Sequence, residues 1–233
     1  MNKQSGFSLV EIMIALLIGL FLLGGILQIF SASQQTYRMQ RNLSRLQENG
    51  RFALDFITHD IRMAGNWGCL IGTNTDITNN IGVTPVDNGT DTIAIKAAFE
   101  VPPTIRCLSS VTTDPTYLDP SSTIAYKIYT LPNANPTLYK TTNGIWGPLI
   151  EGIENMQILY GIDSDGDYAA NYYVPAFANM TQVVSVRISL LVVTLDDHLT
   201  TQLMTLTFNG IPYTDYKIRR VFNVTIALRN HLL

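Results

Sequence analysis

The chain has 233 residues, a formal net charge of −3 and only 14% charged residues. That balance argues against a general nucleic-acid surface, which needs a strongly basic face. Residues 1–6 form a short polar head with one basic residue, Lys3, and no acid. A nearly unbroken apolar run follows from Phe7 to Phe30, with one carboxylate, Glu11, near its start. A helix of that length crosses a bilayer core of ~30 Å. An ionisable group inside such a run is costly and usually functional. Two other readings of this end are a cleaved secretory signal, with Ser31-Ala32-Ser33 as its small-residue site, and a plain signal-anchor. The first has too long an apolar run, and the second leaves Glu11 without a partner.

The helical pattern continues beyond the apolar run. Residues 28–61 contain no Pro and one Gly. Leu43, Leu46, Gly50, Ala53, Ile57, Ile61 and Ala64 recur at steps of three or four and share one face. Arg38, Arg41, Arg45, Arg51 and Arg62 mostly occupy the others, and Arg51, Asp55 and His59 are spaced for i,i+4 pairs. The pattern predicts one helix from about Phe7 to Ala64, roughly 85 Å long at ~1.5 Å per residue. Its second half needs a sheet to cover the apolar stripe. Gly19 and Gly24-Gly25 are either points of bending or small residues for packing in lipid. Gly65-Asn66-Trp67-Gly68 ends the helix.

After Gly68 the period becomes two. Strands are predicted at Thr92–Ala97, Ser122–Tyr129, Thr137–Thr141, Gln157–Ile162, Val183–Thr194 and Val221–Arg229. Asn143-Gly144 is a hairpin signal. The polar stretches 71–91 and 101–120 read as loops, and Glu151–Met156 as a turn or short helix before its strand. An acidic turn, Asp163-Ser164-Asp165-Gly166-Asp167, precedes a loop, a core strand, a long hairpin and a final strand. The expected fold is α+β, a long N-terminal helix packed on an antiparallel sheet.

Two sets of residues carry a resemblance. The head ending at Gly6, followed by Phe7-Ser8-Leu9-Val10-Glu11, resembles the class III signal of type IV prepilins and type II secretion pseudopilins. The order YGID at 160–163, then VVSVRISLL at 183–191, then RRVFNVTIALRN at 219–230, resembles the PilW family of type IV pilus minor pilins. J-type minor pseudopilins are related in kind. The resemblance runs end to end and implies a pilin-like fold. The chain departs from major pilins in lacking a Pro in the membrane helix and a C-terminal cysteine pair.

The resemblance implies a set of roles. A prepilin peptidase and methyltransferase cuts after Gly6 and methylates Phe7. Residues 7–30 remain as a membrane and filament-core helix, 31–64 continue it as an amphipathic helix, and 65–233 form a periplasmic strand-rich domain. Glu11 becomes the fifth mature residue and pairs with a neighbouring subunit's amino terminus, because pairing relieves the cost of a lone charge in apolar surroundings. In an oxidising periplasm Cys69 and Cys107 form a disulfide closing a loop of about 39 residues, worth ~4 kcal/mol by loop entropy. The expected partners are other minor pilins, the major pilin, the inner-membrane assembly platform and, before assembly, the bilayer; DNA is left open. The expected function is a minor pilin that primes a pilus and sits near its tip, serving motility, adhesion or DNA uptake. Alternatives are a type II secretion pseudopilin, and a membrane-anchored adhesin or Ca²⁺-binding module.

No enzyme and no cofactor are expected. His59, His198 and His231 are scattered, and no CxxC, GxSxG, HExxH or phosphate loop is present. Asp163, Asp165 and Asp167 offer oxygen ligands for Ca²⁺, but the EF-hand pattern fails, with Gly166 at loop position four and Val174 at twelve. A solvated turn is the simpler account. Asn88, Asn179 and Asn223 match glycosylation sequons that a bacterial periplasmic chain need not use. Arg187, Arg219, Arg220 and Arg229 are expected on strand faces or edges, in surface salt bridges or gripping a partner pilin or DNA.

Overall fold

The computed structural model describes residues 8–65, 77–79, 89–97, 123–142, 144–175 and 182–228. The chain divides into two units, Met1–Asn42 and Leu43–Leu233. One helix, α1 (Leu9–Met63), runs through both. It opens where the Ser8 carbonyl accepts the N–H groups of Glu11 (3.0 Å) and Ile12 (3.2 Å). It continues unbroken through Gly19, Gly24 and Gly25, and a Cβ added at any of the three meets nothing within 4 Å. The large apolar side chains from Leu9 to Phe30 are all exposed. The helix ends at Gly65, whose φ of 72° is the left-handed conformation glycine adopts freely. The Gly65 N–H donates to Lys96 O at 3.0 Å, so the terminus is tied to a strand.

The second unit holds three groups of strands. β1 (Ile77–Asn79), β2 (Ile93–Lys96), β3 (Thr123–Tyr129), β4 (Thr137–Thr142) and β5 (Ile145–Glu151) pair antiparallel in chain order. Thr142 pairs with Ile145 across Asn143-Gly144, and Gly144 has φ 75°, as a tight hairpin requires. A second antiparallel sheet has the order β11 (Arg219–Ala227), β8 (Val183–Val193), β6 (Ile153–Ile162), β7 (Tyr172–Val174). β9 (Met204–Phe208) and β10 (Ile211–Asp215) form a separate hairpin.

Gly152 is the single residue between β5 and β6, so the chain changes sheets there within one residue. Its φ is 81°, and an added Cβ would lie 2.8 Å from Val193 O. Its N–H donates to Pro136 O at 2.7 Å and its carbonyl accepts Val193 N–H at 2.8 Å, so both of its backbone groups bind across the joint.

The predicted stripe of α1 is buried. Leu46, Gly50, Ala53, Ile57, Ile61 and Ala64 are buried and Leu43 is half-buried, while Arg41, Arg45, Arg51 and Arg62 are exposed. The helix residues of this stripe join Tyr126 and Leu138 of the first sheet and Met156, Ile158, Ile188, Leu190 and Ile226 of the second in one core. Gly50 sits against the Phe222 ring, and a Cβ there would come within 2.7 Å of it. Gly50→Ala gains ~1 kcal/mol of helix propensity. The overpacking costs more, so we expect net destabilisation of ~1 kcal/mol. Thermal melts of Gly50→Ala and of Gly50→Ala with Phe222→Leu check this: the smaller side chain should restore the loss, and a melt of Gly50→Ala above the native one would refute it.

Four local expectations change. The predicted loop 71–91 contains β1, whose pairing with β2 outweighs the polar composition of Ile77-Thr78-Asn79. Glu151–Met156 is extended, with Gly152 as the only break, because positive φ at Gly152 lets β6 begin at once. The segment after the acidic turn is no simple loop, since Tyr172–Val174 returns to pair with Tyr160–Ile162. His59 does not pair back to Asp55 but meets its neighbour Asp60 at 3.1 Å.

Candidate functional site

In the first unit, Glu11 heads an apolar face of α1 shared with Ile12, Ala15, Leu16, Gly19, Leu20 and Leu23. The helix is long and apolar enough to cross a membrane, with an 18-residue window of mean hydropathy 2.6. Glu11 and its apolar neighbours are exposed, which leaves one carboxylate on an otherwise greasy surface. The expected processing residues Gly6 and Phe7, and the expected disulfide pair Cys69 and Cys107, lie outside the described residues. So do Arg229, His231, Asn88 and Asn179; Asn223 is exposed on β11.

The acidic turn lies at the end of β6. One carboxylate oxygen each of Asp163, Asp165 and Asp167 falls within 4.8 Å of the others. These groups already serve the turn. Asp163 Oδ1 accepts the N–H groups of Asp165 (3.1 Å) and Gly166 (2.7 Å), and its Oδ2 accepts that of Tyr168 (2.9 Å). Asp167 Oδ1 accepts Ala169 N–H at 2.8 Å. Asn171 closes the loop: its Oδ1 accepts Ser164 N–H at 2.7 Å and its Nδ2 donates to Asp165 Oδ2 at 3.1 Å. The backbone donors, Gly166 first, hold the Asp163 carboxyl below its usual range. A depressed carboxylate contributes stability that is present above its unfolded value of ~3.9 and lost as pH falls through the lower folded value. Asp163→Asn should therefore flatten the acid limb of a melting-temperature profile below about pH 4. An unchanged acid limb would show that the turn contributes nothing.

Two clusters escaped the sequence reading. Asp60 is buried on α1 beside the apolar stripe. Lys140 Nζ of β4 lies 2.7 Å from its Oδ2, and the Tyr126 hydroxyl of β3 donates to the same oxygen. Burial, then the Asp60 charge and this hydrogen bond, push the Tyr126 phenol above its ordinary value. The signal was available: Asp60 follows Ile57 by three and Ala53 by seven, so it shares their side of the helix.

The second cluster centres on Arg219, whose side chain is only 5% exposed. It donates from Nε and a terminal nitrogen to Glu154 at 2.6 and 3.0 Å, and from both terminal nitrogens to Asp215 at 2.7 Å. Burial opposes the guanidinium's charge, but its hydrogen bonds to Asp215 and Glu154 outweigh that and raise its pKa. The hydrogen bond from Arg219 in turn lowers Asp215. Tyr213 accepts from Asn155 Nδ2 at 3.0 Å, and Asn209 Nδ2 donates to Gln157 Oε1 at 2.9 Å. These contacts clamp the β9–β10 hairpin to β6 and β11. Arg219 is thus a structural clamp rather than a surface grip. Arg187 lies over the Tyr173 ring at 3.9 Å, and Arg220 is exposed.

A long apolar helix carrying one carboxylate and continuing into a sheet-bearing body is the α+β, pilin-like architecture. Residues 1–27 match the prokaryotic N-terminal methylation motif, and residues 125–230 match the family described as Type IV Pilus-assembly protein W. The chain therefore carries the prepilin methylation signal at its start and is similar to the PilW family over residues 125–230. A solved type IV-like pilin from Thermus thermophilus is 11% identical with a TM-score of 0.43, covering 80% of this chain and 98% of its own. No curated protein matches the chain.

Proposed function

We propose that the chain is a low-copy minor pilin that helps to prime a type IV pilus and sits near its tip. One observation carries this reading: a single chain joins the N-terminal methylation motif at residues 1–27 to the pilus-assembly match at residues 125–230. The leader to Gly6 stays cytoplasmic, the apolar part of α1 anchors the chain in the inner membrane, and the strand-rich body is periplasmic until assembly draws the helix into a filament. Its work is binding to other pilins, without turnover. Pilus-driven motility, adhesion and DNA uptake belong to the whole machine.

Deletion of the gene, with pili and exoprotein secretion both scored, tests the reading. Loss of surface pili with secretion intact supports it. Loss of secretion with normal pili assigns the chain to a type II secretion pseudopilin, and no change in either rejects both. Replacement of Gly6 should leave an intact-mass species longer by the six-residue leader and block assembly. A native mature start at Ser31 or later would end the pilin reading.

A further inference from the structure

Beyond the apolar run, one face of α1 changes character in steps. Phe30, Ser33, Gln34, Tyr37, Arg38 and Arg41 line a shallow groove on it, all within the first unit. Phe30, Gln34, Tyr37 and Arg41 follow at steps of four, three and four, the spacing of a single helix face, and Arg38 flanks them. All six side chains are exposed. Along the face they run from apolar, through neutral polar, to a phenol and then two guanidinium groups. A helix leaving a bilayer meets its environments in that order: hydrocarbon, then the interfacial belt favoured by tyrosine, then charged headgroups.

The distances agree. Ile12 to Phe30 spans ~28 Å as a helix, close to one hydrocarbon core of ~30 Å. With Glu11 at one edge of the core, Phe30 stands at the other. Tyr37 and Arg38 lie ~10–12 Å further on, and Arg41 ~16 Å, at ~1.5 Å per residue. Helical side chains cover the turn before their own, here toward the membrane, a return of ~5 Å. Tyr37 and Arg38 thereby reach back into a headgroup layer ~5–7 Å deep. Arg41 stands just outside it, within a Debye length of ~8 Å.

The charge pattern selects the ligand. No acid occurs between Glu11 and Glu48, and the charges in that interval are Arg38, Arg41 and Arg45. Cations beside a span normally gather on its cytoplasmic side. Here the leader side carries Lys3 and the far side three arginines, so the far side holds its cations against that bias. Arg38 and Arg41 also interact within the chain, and a guanidinium's five donors can serve a phosphate beside another partner.

We propose that the face formed by Tyr37, Arg38 and Arg41 binds the phosphodiester of anionic phospholipid headgroups in the leaflet from which α1 emerges, and so fixes the depth of the helix before assembly. The proposal rests on the membrane-held stage of the pilin reading above. An anionic headgroup is preferred because its phosphate is not neutralised by a cation of its own.

Native mass spectrometry of the full-length chain in detergent tests this, with phosphatidylglycerol and phosphatidylcholine of the same acyl chains as probes. The native chain should retain phosphatidylglycerol roughly tenfold over phosphatidylcholine. Arg38→Gln with Arg41→Gln should abolish the preference, and Arg38→Lys with Arg41→Lys should keep most of it. The lysine pair decides if the glutamine pair does not fold. Inorganic phosphate at the lipid concentration should displace neither lipid. No preference in the native chain, an undiminished preference in the glutamine variant, loss of the preference in a folded lysine variant, or displacement by inorganic phosphate each overturn the proposal. Failure of cleavage at Gly6 in cells rejects the pilin reading instead, and the lipid ratios still decide the headgroup site.

Discussion

Asp60→Ala should destabilise the strand-rich unit by about 3 kcal/mol. Asp60 is the buried end of a link between α1 and the first sheet, with Lys140 Nζ at 2.7 Å and the Tyr126 hydroxyl on the same oxygen. Its removal leaves a fully buried phenol with only the Phe56 carbonyl, at 3.5 Å, as acceptor, and a cation without its counterion. An unmade buried hydrogen bond costs ~1–3 kcal/mol, more beside a charge. Lys140 retains 24% exposure, so its own truncation should cost less, because water partly replaces it as a partner for Asp60. For a unit of this size 1 kcal/mol moves the melting temperature by ~2–4 °C, so Asp60→Ala should melt roughly 6–12 °C below native. Lys140→Met should fall between the two. A double-mutant cycle separates the pair from the parts: the combined variant should lose less than the sum. Equal melting of Asp60→Ala and native protein would show that the link carries no stability.

The sequence made the helix and most of the second unit legible because two physical periods are plain in it. Steps of three and four at Leu46, Gly50, Ala53, Ile57, Ile61 and Ala64 describe the face that is buried. Alternation in Thr123–Tyr129 and Val183–Val193 marks strands that are found there. β1 and β7 were hidden because each has three residues, too few for a period, and each exists through its partner strand. The division into two sheets was hidden in one residue. Glu151-Gly152-Ile153 reads as a turn, and only the close approach of Val193 O to Gly152 shows why the chain passes from one sheet to the other there.

The polar clusters divide the same way. The Asp163 turn was evident because its acceptors and donors lie within nine residues, Asp163 to Asn171. The Arg219 clamp and the Asp60 link join residues 65 and 66 positions apart, and no local pattern announces a partner at that distance. Half of the clamp was nonetheless local, since Asp215 precedes Arg219 by four. That both long-range clusters tie separate elements, α1 to β3 and β4, and β6 to β11, fits their burial: a charge is kept inside where its partner comes from elsewhere in the fold.

Glu11→Ala should leave the chain processed and held in the membrane but lower its recovery in pili by roughly a hundredfold. Glu11 stands in the first turn of a helix whose large apolar side chains to Phe30 are exposed, so any environment that covers this surface also covers the carboxylate. A charge in that setting needs a partner of opposite sign, and the amino terminus made by cutting at Gly6 is the one the prepilin resemblance supplies. Losing one member of a desolvated pair costs ~3–5 kcal/mol, since the survivor stays buried and unpaired. At 1.4 kcal/mol per factor of ten, the lower bound already gives about a hundredfold. Glu11→Gln separates charge from shape. It keeps a hydrogen-bond acceptor of the same length, so it should recover part of the contact but not the charge pairing, and should assemble between alanine and native. Immunoblots of membranes and sheared pili from the same cells measure both pools. Membrane levels should match in all three chains; native-like recovery of Glu11→Ala in pili would refute the pairing, and equal loss in alanine and glutamine would assign the whole effect to charge.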